Sequence, residues 1–151
     1  MEELTKHGES EQEQMVKRPQ LLALLLIFSM VNGVISSMSN FILFSVIDVI
    51  KESFSADDTM NVLGMEIKMS LFLNTDKKFF LYQGILYAVS FLGALLMWKY
   101  RRAGFHYYTV SQILLLIVAT LYLPGMPFPF VDLMLTGIFV YVYAKNLHLM
   151  H

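Results

Sequence analysis

An uncharged run of 24 residues, Leu21–Phe44, constrains this chain more than any other feature of its sequence. A helix rises about 1.5 Å per residue and crosses the roughly 30 Å hydrocarbon core of a bilayer in about 20 residues. The run is therefore long enough to span a membrane. Pro19, just before it, suits the first turn of a helix. The chain is predicted to be an integral membrane protein.

Three further apolar segments extend this prediction. The four spans cover about residues 21–44, 79–98, 106–123 and 129–145. The last two are joined by PGMPFP at 124–129, in which three prolines and a glycine stop a helix. We expect an all-α membrane protein whose four transmembrane helices form one antiparallel bundle over residues 19–151. The polar residues 1–18 are expected to form a mobile cytoplasmic tail.

The basic residues predict how the spans are oriented. They divide into seven on one side of the membrane and four on the other: Lys6, Lys17, Arg18, Lys99, Arg101, Arg102 and Lys145, against Lys51, Lys68, Lys77 and Lys78. Because cytoplasmic loops are enriched in Lys and Arg, both termini are predicted to be cytoplasmic. The first 18 residues do not resemble a cleavable signal peptide. The predicted location is the plasma (inner) membrane, with several crossings.

The short basic loop KYRRAGFHYY, residues 99–108, is predicted to lie at the cytoplasmic interface. Gly104 is expected to let the chain reverse tightly. Trp98, Tyr100, Tyr107 and Tyr108 are expected at the interface, where amphipathic rings are favoured. Its three basic residues have two interpretations: Lys99, Arg101 and Arg102 either only orient the protein or bind an anionic lipid head group.

The long loop, residues 45–78, is predicted to be extracytoplasmic. Met65, Ile67 and Met69 alternate with polar residues, which is the period of a half-buried strand. The alternative is a helix with Leu63, Ile67 and Leu71 on one stripe. We expect a short strand or β-hairpin whose apolar face, at Met65, Ile67 and Met69, binds a partner.

The first span carries two stripes of small or polar residues. Ser29, Gly33 and Ser37 repeat every four residues, a pattern that lets helices approach closely. Gly84 and Ala88 of the second span are expected to pack there. Gln83 of the same span, with Ser111 and Gln112 of the third, is expected either to pack between helices or to line a polar groove. A parallel stripe consists of Asn32, Ser36 and Asn40, and buried amides and hydroxyls need partners. It indicates either helix packing or a polar groove for a solute or ion.

Asp132 is a carboxylate at the start of an otherwise apolar span. Near a helix start, a negative charge is stabilised by about 0.3–1 kcal/mol, so one interpretation is an anchor. Thr136 lies one turn later on the same face. The other interpretation is a site in which Asp132 and Thr136, facing Asn40 with Lys77 and Lys78 nearby, bind a cation or proton.

The usual catalytic patterns are missing. The chain has no cysteine, no HExxH, no GxSxG and no glycine-rich phosphate loop. We expect no enzyme activity, cofactor or metal; the alternative, an intramembrane lipid enzyme, would depend on Arg101, Arg102 and His106. A formal net charge of −1 gives no sign of a nucleic-acid partner.

Two stretches, KRPQLLALLLIF at 17–28 and YRRAGFHYYTVSQI at 100–113, resemble those of small bacterial four-span membrane proteins without an assigned function. The resemblance implies a bacterial plasma-membrane protein and carries over no site residue. The expected function is that of an accessory or scaffolding subunit, bound to membrane lipids and to a membrane-protein partner or further copies of itself. The alternative is a small oligomeric carrier or channel for an ion or small solute, using Asp132.

Overall fold

The computed structural model describes residues 19–53, 59–62, 65–68, 70, 73–123 and 130–150. Their elements, in chain order, are α1 (Gln20–Ser53), β1 (Thr59–Val62), β2 (Met65–Lys68), α2 (Lys77–Trp98), α3 (Ala103–Tyr122), α4 (Phe130–Lys145) and a 3-10 turn at Leu147–Leu149. The predicted tail at 1–18, the PGMPFP connection at 124–129 and Met69 lie outside the described residues.

Three of the described helices, α1, α2 and α3, are long and apolar enough to cross a membrane. Their 34, 22 and 20 residues correspond to about 51, 33 and 30 Å of helix. Large apolar side chains along all three point outward, for example Leu24, Leu92 and Leu121. Such a surface suits lipid and not water. The prediction of a helical membrane protein is confirmed.

Two boundaries differ from the predicted spans. Helix α1 continues to Ser53, past the span end at residue 44, so the loop begins later than residue 45. The apolar pattern of residues 45–50 predicts such an extension as far as Lys51. Helix α4 has 16 residues, or about 24 Å, and is by itself shorter than the hydrocarbon core. Residue 129, the predicted start of the fourth span, lies outside the described residues.

Helices α1 and α2 pack antiparallel along most of their length. The Ser37 hydroxyl donates to the carbonyl oxygen of Gly84 over 2.9 Å. A Cβ on Gly33 would lie 3.0 Å from the Cβ of Phe91, so the backbones approach closely there. Near the far end of α1, Lys51 Nζ donates to the Thr75 carbonyl over 2.8 Å. These contacts explain why α1 stays helical beyond the predicted membrane boundary.

The chain reverses between α2 and α3 at Tyr100, not at Gly104. Tyr100 has a φ of 58°. Its amide donates to the Met97 carbonyl over 3.0 Å, and the Arg101 amide donates to the Leu96 carbonyl over 2.9 Å. This is the Schellman pattern, with Tyr100 in the place where glycine is common. Gly104, expected to form the turn, is instead inside α3.

The main apolar core lies where α1 begins, α2 ends, α3 begins and α4 ends; we call this the Trp98 end. Its buried members are Leu22, Leu26, Ala94, Met97, Tyr108, Tyr143 and Met150. Tyr108 was expected at the membrane interface, but it is 3% exposed and packs against Tyr143. The opposite end, where α4 begins, is called the Asp132 end.

The two strands between α1 and α2 pair antiparallel. Their register runs from Thr59 opposite Lys68 to Val62 opposite Met65. Met65 and Ile67 lie in β2. A sheet of two strands is marginally stable alone in water, so this segment needs support from neighbouring groups.

Candidate solute site

Helix α4 packs closely only near its C-terminal end. Tyr143 is its one buried residue. Towards the Asp132 end, the four helices surround a partly open cavity of about 380 Å³. Its polar lining residues come from every helix: Ser29, Asn32, Asn40, Gln83, Tyr87, Tyr108, Gln112, Asp132 and Thr136. Its aromatic walls are completed by Phe28, Phe79 and Phe139.

Hydrogen bonds close the cavity towards the Trp98 end. The Ser29 hydroxyl lies 2.7 Å from the hydroxyl of Tyr143 and 3.3 Å from that of Tyr108. Tyr143 also donates to the Leu25 carbonyl over 3.0 Å. The two tyrosine rings meet edge to face, with centroids 5.1 Å apart. This floor joins α1, α3 and α4.

Gln112 links three helices in the cavity wall. Its Nε2 donates to the Ser90 hydroxyl of α2 over 2.8 Å. Its Oε1 accepts a long hydrogen bond of 3.5 Å from the Thr136 hydroxyl of α4. Thr136, predicted to act with Asp132, is therefore oriented by Gln112, which the sequence indicates for helix packing or for a polar groove.

Gln83 contributes a side-chain amide to the cavity. It is 7% exposed and lines the cavity. Its side-chain amide makes no hydrogen bond to any residue that the structure describes. Among the described residues, the fully buried side-chain polar atom without a partner is Thr109 Oγ1, so the Gln83 amide faces the open space of the cavity. The amide donor and acceptor of Gln83 are thus available to a molecule in the cavity.

The predicted polar stripe of α1 contributes to the same cavity. Ser36 Oγ donates to Asn32 Oδ1 over 3.4 Å, and Asn40 Nδ2 donates to the Ser36 carbonyl over 2.8 Å. Asn32 and Asn40 line the cavity, and Ser36 connects them. The fold therefore brings this stripe together with Asp132 and Thr136.

Asp132 lies in the first turn of α4 and lines the cavity. Its carboxylate is near enough to Tyr87 for the two side chains to interact electrostatically. It forms a salt bridge with no basic side chain in the described part of the chain. Lys77, expected nearby, instead pairs with Asp48 of α1 and lies 4.9 Å from the centre of the Phe44 ring.

The small-residue stripe is occupied within the chain. Gly33 faces Phe91, Ser37 binds Gly84, and Ser29 binds Tyr143. Ala88 is half-buried in α2. These residues hold the helices of one chain together, which leaves no open small-residue surface on this face of α1 for a partner.

The three basic residues of the α2–α3 connection have separate roles. Arg102 Nε donates to the Met150 carbonyl over 2.7 Å and holds the C-terminal segment. Arg101 contributes its backbone amide to the turn. Only Lys99 borders a groove, of about 360 Å³, whose other lining residues are Val89, Leu92, Leu95, Leu96 and Tyr107.

Sequence reasoning missed part of the site. Gln83 was expected to pack between helices or to line a polar groove, and Tyr87, Phe28 and Phe139 were not singled out. A glutamine inside a span was the available signal, since its amide needs a partner in lipid. Among the described residues, no three histidine, aspartate or glutamate side chains are grouped so that they could hold a metal ion.

No protein-family model, curated protein or solved structure matches this chain.

Proposed function

We propose that this protein is a small membrane carrier that binds an ion or small solute in the cavity at the Asp132 end. The observation that supports this most directly is the Gln83 amide, without a hydrogen bond to any described residue, in a cavity that also contains Asp132. A concave site with apolar walls and a few convergent polar groups is typical of ligand binding.

A role in packing alone accounts less well for these residues. Polar side chains that only join helices are expected to be paired with one another, as Ser37 and Gly84 are. Gln83 has no such partner among the described residues, and the carboxylate of Asp132 lies in an apolar helix. Ionisable residues inside membranes are costly and commonly mark a pathway for a substrate or ion.

The asymmetry of the cavity suggests how transport would proceed. The floor formed by Ser29, Tyr108 and Tyr143 lies on its Trp98 side, and Asp132 lines it towards the other end. From the Lys and Arg distribution, we propose that the Trp98 end is cytoplasmic and that α4 makes the fourth crossing. Passage of a solute would then require the Ser29–Tyr143 contact to break.

The test is solute flux in vesicles that contain the purified protein. Asp132→Asn keeps the size of the side chain and removes its charge, and we expect it to reduce flux at least tenfold. Glu52→Gln is the matched control, because Glu52 is an exposed carboxylate near the same end that does not line the cavity. Equal flux in the wild type, Asp132→Asn and Glu52→Gln would refute the proposal.

The second candidate is an accessory subunit that binds a membrane-protein partner. The observation favouring it is the two-stranded sheet β1–β2, whose outer strand edges are unpaired among the described residues and could accept a further strand. Native mass measurement of the protein extracted in its own lipid separates the candidates. A stoichiometric second protein supports the subunit; a monomer or homo-oligomer supports the carrier.

A further inference from the structure

The geometry points to an organic monocation as the solute: an ammonium group near Asp132, with an apolar body between the aromatic walls. This inference rests on the proposed function, because it assigns a substrate class to the same cavity. It follows from the charge, the aromatic lining and the size of the site.

The charge of the cavity favours a cation. Among the described residues that line it, Asp132 is the one carboxylate and none is lysine, arginine or histidine. Lys77 is held by Asp48 and is not part of the lining. A carboxylate facing a low-dielectric space is stabilised by an opposite charge close by. A single positive charge on the solute balances the site.

The aromatic lining favours an organic cation. Phe28, Phe79, Tyr87 and Phe139 line the same cavity as Asp132. The negative faces of aromatic rings attract ammonium groups by about 0.5–2 kcal/mol, most strongly where water is excluded. The same rings provide apolar contacts for a hydrocarbon body.

The volume argues against a bare metal ion. At roughly 30 Å³ for each water in the liquid, a cavity of about 380 Å³ has space for about a dozen waters, or for a small organic molecule. Metal ions are also held by several oxygen ligands at once, and Asp132 is the only charged oxygen donor of the lining. The amide of Gln83 has its donor and acceptor free for a hydroxyl or amide group on the solute.

The test uses three probes that share a benzene ring: benzyltrimethylammonium, neutral benzyl alcohol and anionic benzenesulfonate. Binding is measured by calorimetry to the purified full-length protein in nanodiscs of zwitterionic lipid, with empty nanodiscs subtracted. We expect saturable binding of the cation alone. Asp132→Asn should weaken it at least tenfold, whereas Asp132→Glu and Glu52→Gln should retain it within about threefold.

A second comparison tests Gln83. Benzyldimethyl(2-hydroxyethyl)ammonium adds a hydroxyl to the first probe, and we expect it to bind several-fold more tightly. Gln83→Leu should remove that advantage and leave the affinity for benzyltrimethylammonium nearly unchanged. The comparison of the two probes with Gln83→Leu still tests the site if Asp132→Asn lowers the yield of folded protein.

Two kinds of result would contradict the cation inference. Equal binding of the neutral or anionic probe, insensitive to Asp132→Asn, overturns the cation inference but leaves a solute-binding cavity. Absence of saturable binding by every probe, or a tightly held lipid in the cavity, also overturns it. The flux measurement with Asp132→Asn then decides separately whether the proposed carrier function stands.

Discussion

A Cβ on Gly104 would lie 2.5 Å from the carbonyl oxygen of Gly93, so these two glycines set the distance between α2 and α3. A Cβ on Gly93 would in turn meet the Tyr108 amide nitrogen at 2.6 Å. In both cases the obstructing atoms belong to backbone, which cannot rotate away. The contact also positions Tyr108, which forms part of the cavity floor.

We therefore predict that Gly104→Ala and Gly93→Ala destabilise the protein by about 1–3 kcal/mol, the usual cost of overpacking. Unfolding in detergent with increasing denaturant, followed by circular dichroism, measures this. Gly137→Ala is the control, since a Cβ there meets nothing within 4 Å. It should be neutral or stabilise α4 by up to about 1 kcal/mol. Equal stability of Gly104→Ala and Gly137→Ala would contradict the assignment.

The second prediction concerns the cavity floor. Tyr143→Phe removes the hydrogen bonds to the Ser29 hydroxyl and the Leu25 carbonyl and leaves these groups with fewer partners. We expect a loss of about 1 kcal/mol, in the range for hydrogen bonds within and between membrane helices. Tyr141→Phe, on the exposed face of α4, should change stability by much less. A larger effect of Tyr141→Phe in the same unfolding assay would be evidence against the floor.

The third prediction concerns the turn at Tyr100. Left-handed backbone costs a residue with a side chain roughly 1–2 kcal/mol, and more for a β-branched residue. Tyr100→Gly should therefore be more stable than Tyr100→Val, despite the smaller side chain. Thermal unfolding of the two variants gives the order directly. The reverse order would mean that Tyr100 does not adopt this conformation in the membrane.

The fourth prediction concerns Lys99, for which we propose contact with an anionic lipid head group above the groove between Leu92 and Tyr107. A basic residue near an anionic leaflet contributes about 1 kcal/mol. Native mass spectrometry should show less retained anionic lipid for Lys99→Gln than for the wild type. Lys145→Gln removes an exposed charge at the same end without touching the groove and should retain the lipid. Equal loss in both variants would indicate non-specific attraction.

Several features could be predicted from the sequence because they depend on short segments. The hydropathy of a segment depends only on its own residues. The apolar runs that form α1, α2 and α3 could therefore be recognised without knowledge of their neighbours. The four-residue repeat of Ser29, Gly33 and Ser37 likewise indicated a close helix contact. The exact end of α1 was harder to predict from the sequence. It depends on contacts of Lys51 with Thr75, just before α2, and of Asp48 with Lys77, at the start of α2.

What the sequence by itself determined is that the chain enters a membrane as helices, and which side of each helix is polar. The helical period sets the positions of Asn32, Asn40 and Asp132 around their own helices, but it says nothing about how one helix is rotated against another. Only the tertiary structure decided that these residues share a cavity with Gln83, that Gly104 serves packing instead of the turn, and that Tyr108 is buried. Those outcomes depend on contacts between residues far apart in the chain, which no local pattern contains.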